Sequence, residues 1–273
     1  MKKIAFICVN YNNVNYTIDF IKSLNNICKT EFIQIVVVDN ASKDNSVEVL
    51  HKLEMEYTNV MVIYSKTNVG YFKGLNLGIN KLKTEDYDYI VIGNNDLTFD
   101  RSFTEKLTLK TFNEDVLVVS PNIIRMDGIH QNPHIVKKFG TFEKLYRRVY
   151  FSNYYISIVL QMVYNLLRSN IKPVDREGFD VEQDIIMGYG ACYILTRNFF
   201  RNFNSLDAPN FLMGEEGVLA NQVLSVQGRT LFDPSLIVNH HDHSSIGKVS
   251  SRKLYDFSRE SYFYYLKNLK NLH

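Results

Sequence analysis

The chain lacks an excess of charge of either sign. Over 273 residues, 31 lysines and arginines stand against 29 aspartates and glutamates, a formal net charge of +2. A dedicated nucleic-acid binder usually carries a strong basic excess, so nucleic acid is not expected as a partner. Cysteine is scarce as well: Cys8, Cys28 and Cys192 are scattered and form no CxxC pair. That argues against both a zinc cluster and a disulfide framework, and the usage fits a reducing cytoplasm. No apolar run approaches the ~18 residues of a spanning helix. The run after Lys2 and Lys3 ends at Asn10–Asn13, too short for the core of a signal peptide, and reads as a first strand. Internal repeats and low-complexity tracts are missing too.

What is present suits one large α/β domain with a modest extension: 45% hydrophobic and 22% charged residues at a length that supports a sizeable core. In the first half, strand and helix signals alternate. Ile4–Val9, Ile33–Val38, Val60–Tyr64 and Tyr87–Ile92 are short, β-branched apolar runs of the kind buried on both faces of a sheet. Between them, Thr17–Ile27, Val47–Met55 and Gly70–Leu82 carry apolar residues at helical spacing. This pattern predicts βαβ units and a mostly parallel sheet flanked by helices. The second half is less regular. Val116–Ser120 reads as a strand, and Asn122–Val136 as a loop or hairpin. Residues 141–171 are rich in Tyr, Arg and apolar side chains. Ile185–Leu195 reads as a strand broken by Gly188 and Gly190, Gly214–Val226 as a helix, and Thr230–Val238 as a strand.

Ligands of such sheets bind beyond the carboxyl ends of the strands, and polar clusters sit there: Asn10-Tyr11-Asn12, Asp39-Asn40 and Asn94-Asn95-Asp96. Each has a plainer alternative. Asp39 can bind a base or a ribose hydroxyl, or simply cap the next helix. Gly70, Gly74 and Gly78, spaced four apart, allow a backbone to pass close to a ligand or a helix to pack close to the sheet. Asp96, delivered to the sheet rim by a buried strand, can hold Mg²⁺ or Mn²⁺ together with phosphates and water, or can be a turn aspartate. Glu215 and Glu216 open a helix, where carboxylates suit the dipole. One of them can also take a proton from an acceptor hydroxyl. His240, His241 and His243, beside Asp242, form a cluster suited to metal or phosphate contact.

Taken in order, VNYNN (Val9–Asn13), VVVDNASKDNS (Val36–Ser46), NVGYFKGLNLGIN (Asn68–Asn80) and IGNNDLTF (Ile92–Phe99) resemble glycosyltransferase family 2, the inverting enzymes of GT-A fold. MGYGACYILTR (Met187–Arg197), FLMGEEGVLANQ (Phe211–Gln222) and the histidine turn continue the resemblance, which spans roughly Lys3–Ser245. It is nearest to bacterial rhamnosyltransferase-like enzymes of polysaccharide assembly. The resemblance implies a UDP- or dTDP-sugar donor, a saccharide or lipid-linked saccharide acceptor, and Mg²⁺ or Mn²⁺ as cofactor. It places Asn10, Tyr11 and Asn12 at the nucleotide and Asp39 on the base. Asn40, Asn68, Gly70, Tyr71 and Asn76 belong to the same nucleotide-sugar region. Asn95 and Asp96 match the family's DXD-type motif, with Asp96 the metal and diphosphate residue. Gly190 and Ala191 come near the sugar and acceptor, and His240 reaches the metal or diphosphate. Glu216 matches the catalytic base of the usual Glu-Asp pair, here Glu215-Glu216, and Asn94 replaces the first acid of DXD.

The resemblance also divides the chain. Residues 1–245 form the GT-A domain, with a nucleotide-sugar half (1–120) and an acceptor-side half (121–245) that carries a helical insertion over 141–172. A helical tail follows over 246–273. Over Lys137–Lys172, the residues Lys137, Lys138, Lys144, Arg147, Arg148, Arg168 and Lys172 are mixed with tyrosines beside an apolar stretch. That suits either peripheral contact with a membrane or a helical subdomain packing its apolar side on the core. A nucleotidyltransferase would want a glycine-rich, basic loop after the first strand, where VNYNNVNY stands instead. A catalytically inactive nucleotide-sugar-binding or partner module is the rival from another class.

Overall fold

The computed structural model describes residues 2–27, 33–168, 175–242 and 251–269; Cys28, Lys172 and His243 lie outside them. Its first half runs β1 (Ile4–Asn10), α1 (Val14–Ile27), β2 (Ile33–Asp39), α2 (Ser46–Glu56), β3 (Val60–Tyr64), α3 (Tyr71–Ile79), β4 (Tyr89–Asn94), β5 (Leu97–Phe99) and α4 (Phe103–Leu109). The second half runs β6 (Val116–Arg125), α5 (Thr141–Tyr150), α6 (Tyr154–Arg168), β7 (Gln183–Ile185), β8 (Cys192–Thr196), α7 (Arg197–Asn202), α8 (Glu215–Ser225), β9 (Arg229–His240) and α9 (Ser251–Leu269). Among the described residues these strands form one sheet in the order β3-β2-β1-β4-β8-β6-β9-β5, with β7 pairing β9.

The expected βαβ half is there, and β1, β2, β3 and β4 pair in parallel. Beyond β4 the sheet is mixed: β8 runs antiparallel to both β4 and β6, while β6 and β9 are parallel. The reversal follows from the path of the chain. Residues 126–191 leave β6 at the carboxyl rim of the sheet and return to β8 at the same rim. β7 lies between β6 and β8 in sequence and pairs with β9, and β8, starting from the rim where β6 ends, enters in the reverse direction. Three short elements had no separate signal in the periodicity: β5, α4 and α7. β6 extends to Arg125, past the expected strand end, with register shifts at Val116/Val118 and Pro121/Asn122. Pro121 cannot donate to a ladder, and an irregularity is where a strand tolerates that.

Alternation along β1 separates two cores. Ile4, Phe6 and Cys8 face α1, α2 and α4, against Phe20, Leu24, Leu50 and Phe103. Ala5 and Ile7 face α3, α7 and α8, against Leu75, Ile79, Phe199 and Leu219. The free cysteines Cys8 and Cys192 are both buried, and burial pushes both thiols far up, which leaves them inert packing residues. Helix α3 sits close on the sheet because it has glycine where it crosses β1. A Cβ on Gly78 would come 2.5 Å from Ile7 Cγ2, and one on Gly74 would come 3.0 Å from Val9 Cγ2. For these two glycines the close-packing alternative is the one realised.

Of the two expectations for the helical segment, packing of its apolar side on the core is not met. No residue of α5 is buried, and Ser157 is the only buried residue between 154 and 167. The hairpin therefore does not pack its apolar side on the core. It is held at one end by aromatic contacts of Tyr150, Phe151 and Tyr154 with Tyr255 and Tyr262 of α9.

Phe6 lies at the centre of the first core, 5.0 Å from the Phe99 ring and 6.2 Å from the Phe103 ring. Phe6→Ala should destabilise the fold by about 3–5 kcal/mol, because the surrounding β-strand and helices cannot collapse into the space. Equilibrium urea unfolding would measure the loss.

Candidate active site at the carboxyl rim

Strand register brings the polar clusters together. Asn10 is the register partner of Asp39 across β1–β2, and Val9 is the partner of Asn94 across β1–β4. The polar residues that end three parallel strands therefore share one rim.

Most of the amides there are committed to the protein. Asn10 is fully buried. Its Nδ2 donates to Asp39 Oδ1 (2.9 Å) and Ser42 Oγ (3.1 Å), and its Oδ1 accepts from Thr17 Oγ1 (2.9 Å) and Asn95 Nδ2 (3.3 Å). An asparagine side chain offers two donors and two acceptor sites, and here all are taken. Asn95 Nδ2 also reaches Asn13 Oδ1 and Thr17 Oγ1, each at 2.8 Å. Asn40 Nδ2 donates to Asn68 Oδ1 (2.9 Å) and Gly70 O (3.1 Å), and Asn40 Oδ1 accepts from Val69 N (2.9 Å). Asn12 Oδ1 caps the Lys43 N–H at 2.7 Å. Asn76 exchanges both ends of its amide with the Leu206 backbone, at 2.8 and 2.9 Å. Its position therefore ties α3 to the loop before α8, with its amide spent on packing. The asparagines of the polar clusters form a frame that aims Asp39 and the 68–71 turn.

Within that frame Asp39 is buried, with one oxygen on Asn10 and the other accepting from Ser42 N at 3.0 Å. Each carboxylate oxygen keeps acceptor capacity. The turn before α3 is shaped by Gly70. Its φ of +91° is in the region that glycine enters without cost, and a Cβ there would come 2.1 Å from Phe211 O. Tyr71 N donates to the same carbonyl at 3.0 Å. Phe211 thereby pins the turn from the far half of the chain. Tyr11 lies beside this frame, its N–H directed at Asn13 Oδ1 at 3.4 Å.

Asp96 and His240 face each other across β5–β9, both buried, with His240 Nε2 3.4 Å from Asp96 Oδ1. Gln131 Oε1 lies 2.7 Å from His240 Nδ1 as an acceptor, so Nε2 is the ring nitrogen that faces the carboxylate. An imidazole lone pair and a carboxylate oxygen at this spacing suit a shared cation. Hard divalent ions take their remaining ligands from phosphate and water, so the pair fits Mg²⁺ or Mn²⁺. Among the described residues no group of three His, Cys, Asp or Glu side chains gathers into a fuller cage. His241 lies outside this pair: its N–H donates to Asp96 O at 3.0 Å, and its ring sits 6.3 Å from Tyr16.

The acidic pair is brought to the same rim by two devices. Met213 and Gly214 both have positive φ, 72° and 77°, which turns the chain sharply into α8 so that Glu215 and Glu216 start the helix. Ser261 of α9 braces that turn, taking a hydrogen bond from Asn210 Nδ2 at 2.6 Å and donating to Met213 O. The second device is Gly190. A Cβ there would come 2.5 Å from Glu216 Oε1, so any side chain at this position would make the carboxylate shift. The same short segment touches the first half of the chain: Asn94 N donates to Ala191 O at 2.9 Å, and Tyr71 OH reaches Gly190 O at 3.4 Å. Gly190 and Ala191 thus join the strand end carrying Asp96 to the helix carrying Glu216.

Burial pushes the Glu215 carboxyl up to about 8, with the Glu216 carboxylate adding to the shift. Burial also raises Glu216, partly offset by backbone N–H groups that include Gly190. Near neutrality the pair therefore holds a proton. The Tyr71 and Tyr193 hydroxyls are driven well above their ordinary value, first by burial and then by these carboxylates.

Sequence reasoning missed several residues of this rim. Thr17 read only as part of an amphipathic helix, although a buried hydroxyl in a first turn is a usable signal. Gln131 and Asn132 lay in a segment read as loop. Asn132 Oδ1 accepts from Tyr189 N at 2.8 Å and holds Tyr189 between His134 and His240, with ring centroids 5.6 and 6.1 Å away.

Glu215 is raised from 4.5 to about 8, so the folded protein keeps a proton that the unfolded chain releases across that window. Stability should therefore fall as pH rises from about 4.5 to about 8 and level off beyond it. Glu215→Gln should flatten this slope. Urea midpoints collected across the window for both proteins provide the comparison.

Residues 5–169, more than half of the chain, match the model of glycosyl transferase family 2. Solved structures of similar fold include S. aureus TarS 1–349, at 12% identity and a TM-score of 0.55, covering 88% of this chain and 60% of that one. The same TarS fragment in complex with UDP-GlcNAc gives 11%, 0.60, 91% and 61%. GalNAc-T7 with UDP, GalNAc and Mn²⁺ gives 12%, 0.61, 88% and 44%. This chain thus spans less than two thirds of the length of those proteins. No curated protein sequence matches it. The helix-flanked sheet is that of the GT-A glycosyltransferases, and the chain belongs to glycosyl transferase family 2.

Proposed function

We propose that the chain transfers a sugar from a UDP- or dTDP-sugar to an acceptor hydroxyl, with inversion at the anomeric carbon. The acceptor is a saccharide or lipid-linked saccharide of surface-polysaccharide assembly. The observation that carries this reading is the convergence on Gly190–Ala191 of the Asp96 strand end and the Glu215–Glu216 helix start. A buried aspartate–imidazole pair suited to a diphosphate-bound cation, and a carboxylate able to take a proton, are the two groups the reaction needs.

Asp39 and the 68–71 turn would bind the nucleoside, held by Asn10, Asn40 and Asn68. Asp96 and His240 are the residues to hold Mg²⁺ or Mn²⁺, which when bound supplies positive charge against the departing diphosphate. Glu216, beside the Gly190 backbone, would accept the proton of the attacking hydroxyl. Burial raises the basicity of Glu216, and Glu215, pushed up to about 8 by burial and by the Glu216 charge, is the neighbour that holds the pair's proton near neutrality. Structures of similar fold that contain UDP, UDP-GlcNAc, or UDP with Mn²⁺ support the donor and cofactor classes.

A thermal-shift panel of nucleotide sugars with Mn²⁺ should pick out the donor, because a ligand that binds the folded state raises its melting temperature. Asp96→Ala should lose the Mn²⁺-dependent part of that shift. With the donor in hand, wild-type protein should release UDP or dTDP slowly, and Glu216→Gln should lower transfer by about 10²-fold or more. Binding with no turnover by the wild type would leave a nucleotide-sugar-binding module instead. The rate should also rise with pH as the glutamate pair loses its shared proton.

A further inference from the structure

The α5–α6 hairpin presents an apolar surface that nothing among the described residues covers. In α5, Phe142, Leu145, Tyr146 and Val149 recur at the spacing of one helix face, and all are exposed, Phe142 by 90%. In α6, Tyr155, Ile156, Val159, Met162, Val163 and Leu167 fall within an arc of about 140° at about 100° per residue, and these too are exposed. Isolated exposed apolar residues are ordinary, but an exposed apolar stripe on each of two successive helices marks a contact surface.

Charge decides what that surface meets. Residues 137–168 contain six basic side chains (Lys137, Lys138, Lys144, Arg147, Arg148 and Arg168) and one acidic one, Glu143, a net +5, whereas the whole chain nets +2. Glu143 is already paired with Arg147 at 3.1 Å. The basic excess that the chain lacks as a whole is therefore concentrated beside its exposed apolar face. Lys144 and Arg148 lie on the side of α5 away from the apolar stripe, the distribution of a helix lying in the plane of an anionic bilayer surface. A second copy would bring the same positive charge against itself. Among the described residues no helix is long and apolar enough to cross a membrane, so the surface is read as lying on a bilayer.

We infer that α5 and α6 dock the protein on a bilayer containing anionic lipid, with Phe142, Leu145 and the α6 stripe entering the interface and the lysines and arginines on the head groups. The hairpin is a foot joined to the candidate site. Arg259 Nε of α9 donates to Phe151 O at 2.8 Å, the Phe151 and Tyr262 rings stack at 4.9 Å, and α9 braces the turn that launches Glu215 and Glu216. Docking is independent of sugar transfer; an acceptor drawn from the bilayer would follow only if transfer, as proposed above, is the activity.

Flotation of the full chain with vesicles tests this. Vesicles of phosphatidylcholine with phosphatidylglycerol should carry the protein, and phosphatidylcholine alone should carry it at least about tenfold less. Two variants touch only exposed side chains: Phe142→Ser with Leu145→Ser, and Lys144→Glu with Arg148→Glu. Each should lower partitioning by about tenfold or more while keeping the wild-type melting temperature and nucleotide release. Equal binding by wild type and variants would overturn the inference, as would no binding to either vesicle. A lipid-free dimer that the Phe142→Ser, Leu145→Ser protein cannot form would also overturn it, assigning the face to a second copy.

Discussion

The contact on which the site depends is a carboxylate lodged against a backbone that has no side chain. Glu216 sits where any Cβ on Gly190 would be, and the residues next to it are hydrogen-bonded to the end of β4. Through the Gly190–Ala191 segment the start of α8 and the end of β4 meet. The cost is electrostatic: two glutamates share a buried place, and their charges are opposed by desolvation and by each other.

Around this contact the protein uses neutral amides as framework. Asn10, Asn40 and Asn95 are buried at strand ends, where a carboxylate would carry a desolvation penalty and an apolar side chain would leave the backbone and Asp39 without partners. Saturated networks of this kind are rigid, because every member loses several bonds if it turns. The rigidity passes to Asp39 and to the Gly70 turn, the groups left with capacity to bind. A second brace comes from the opposite end of the chain. Ser261 and Tyr265 of α9 fit against Gly214 and Gly217 of α8, so the C-terminal helix holds the acids in place while its outer side carries the α5–α6 hairpin.

The amino-acid sequence by itself determined the parallel half of the sheet. Ile4–Val9, Ile33–Val38, Val60–Tyr64 and Tyr87–Ile92 are continuous apolar runs with polar residues at their ends, a pattern that only strands buried on both faces require. It also placed Asp39, Asp96 and the glutamate pair at element ends, because local turn and cap chemistry acts over a few residues. Tertiary structure decided the rest. Asn10 bonds to a residue 85 positions away, Asn76 to one 130 away and Tyr71 to one 119 away. Whether an amide faces a ligand or a distant backbone has no short-range signature. The reversed β8 and the uncovered α5–α6 hairpin were equally illegible: periodicity marks an apolar face, but what that face meets is set by where the chain re-enters the sheet.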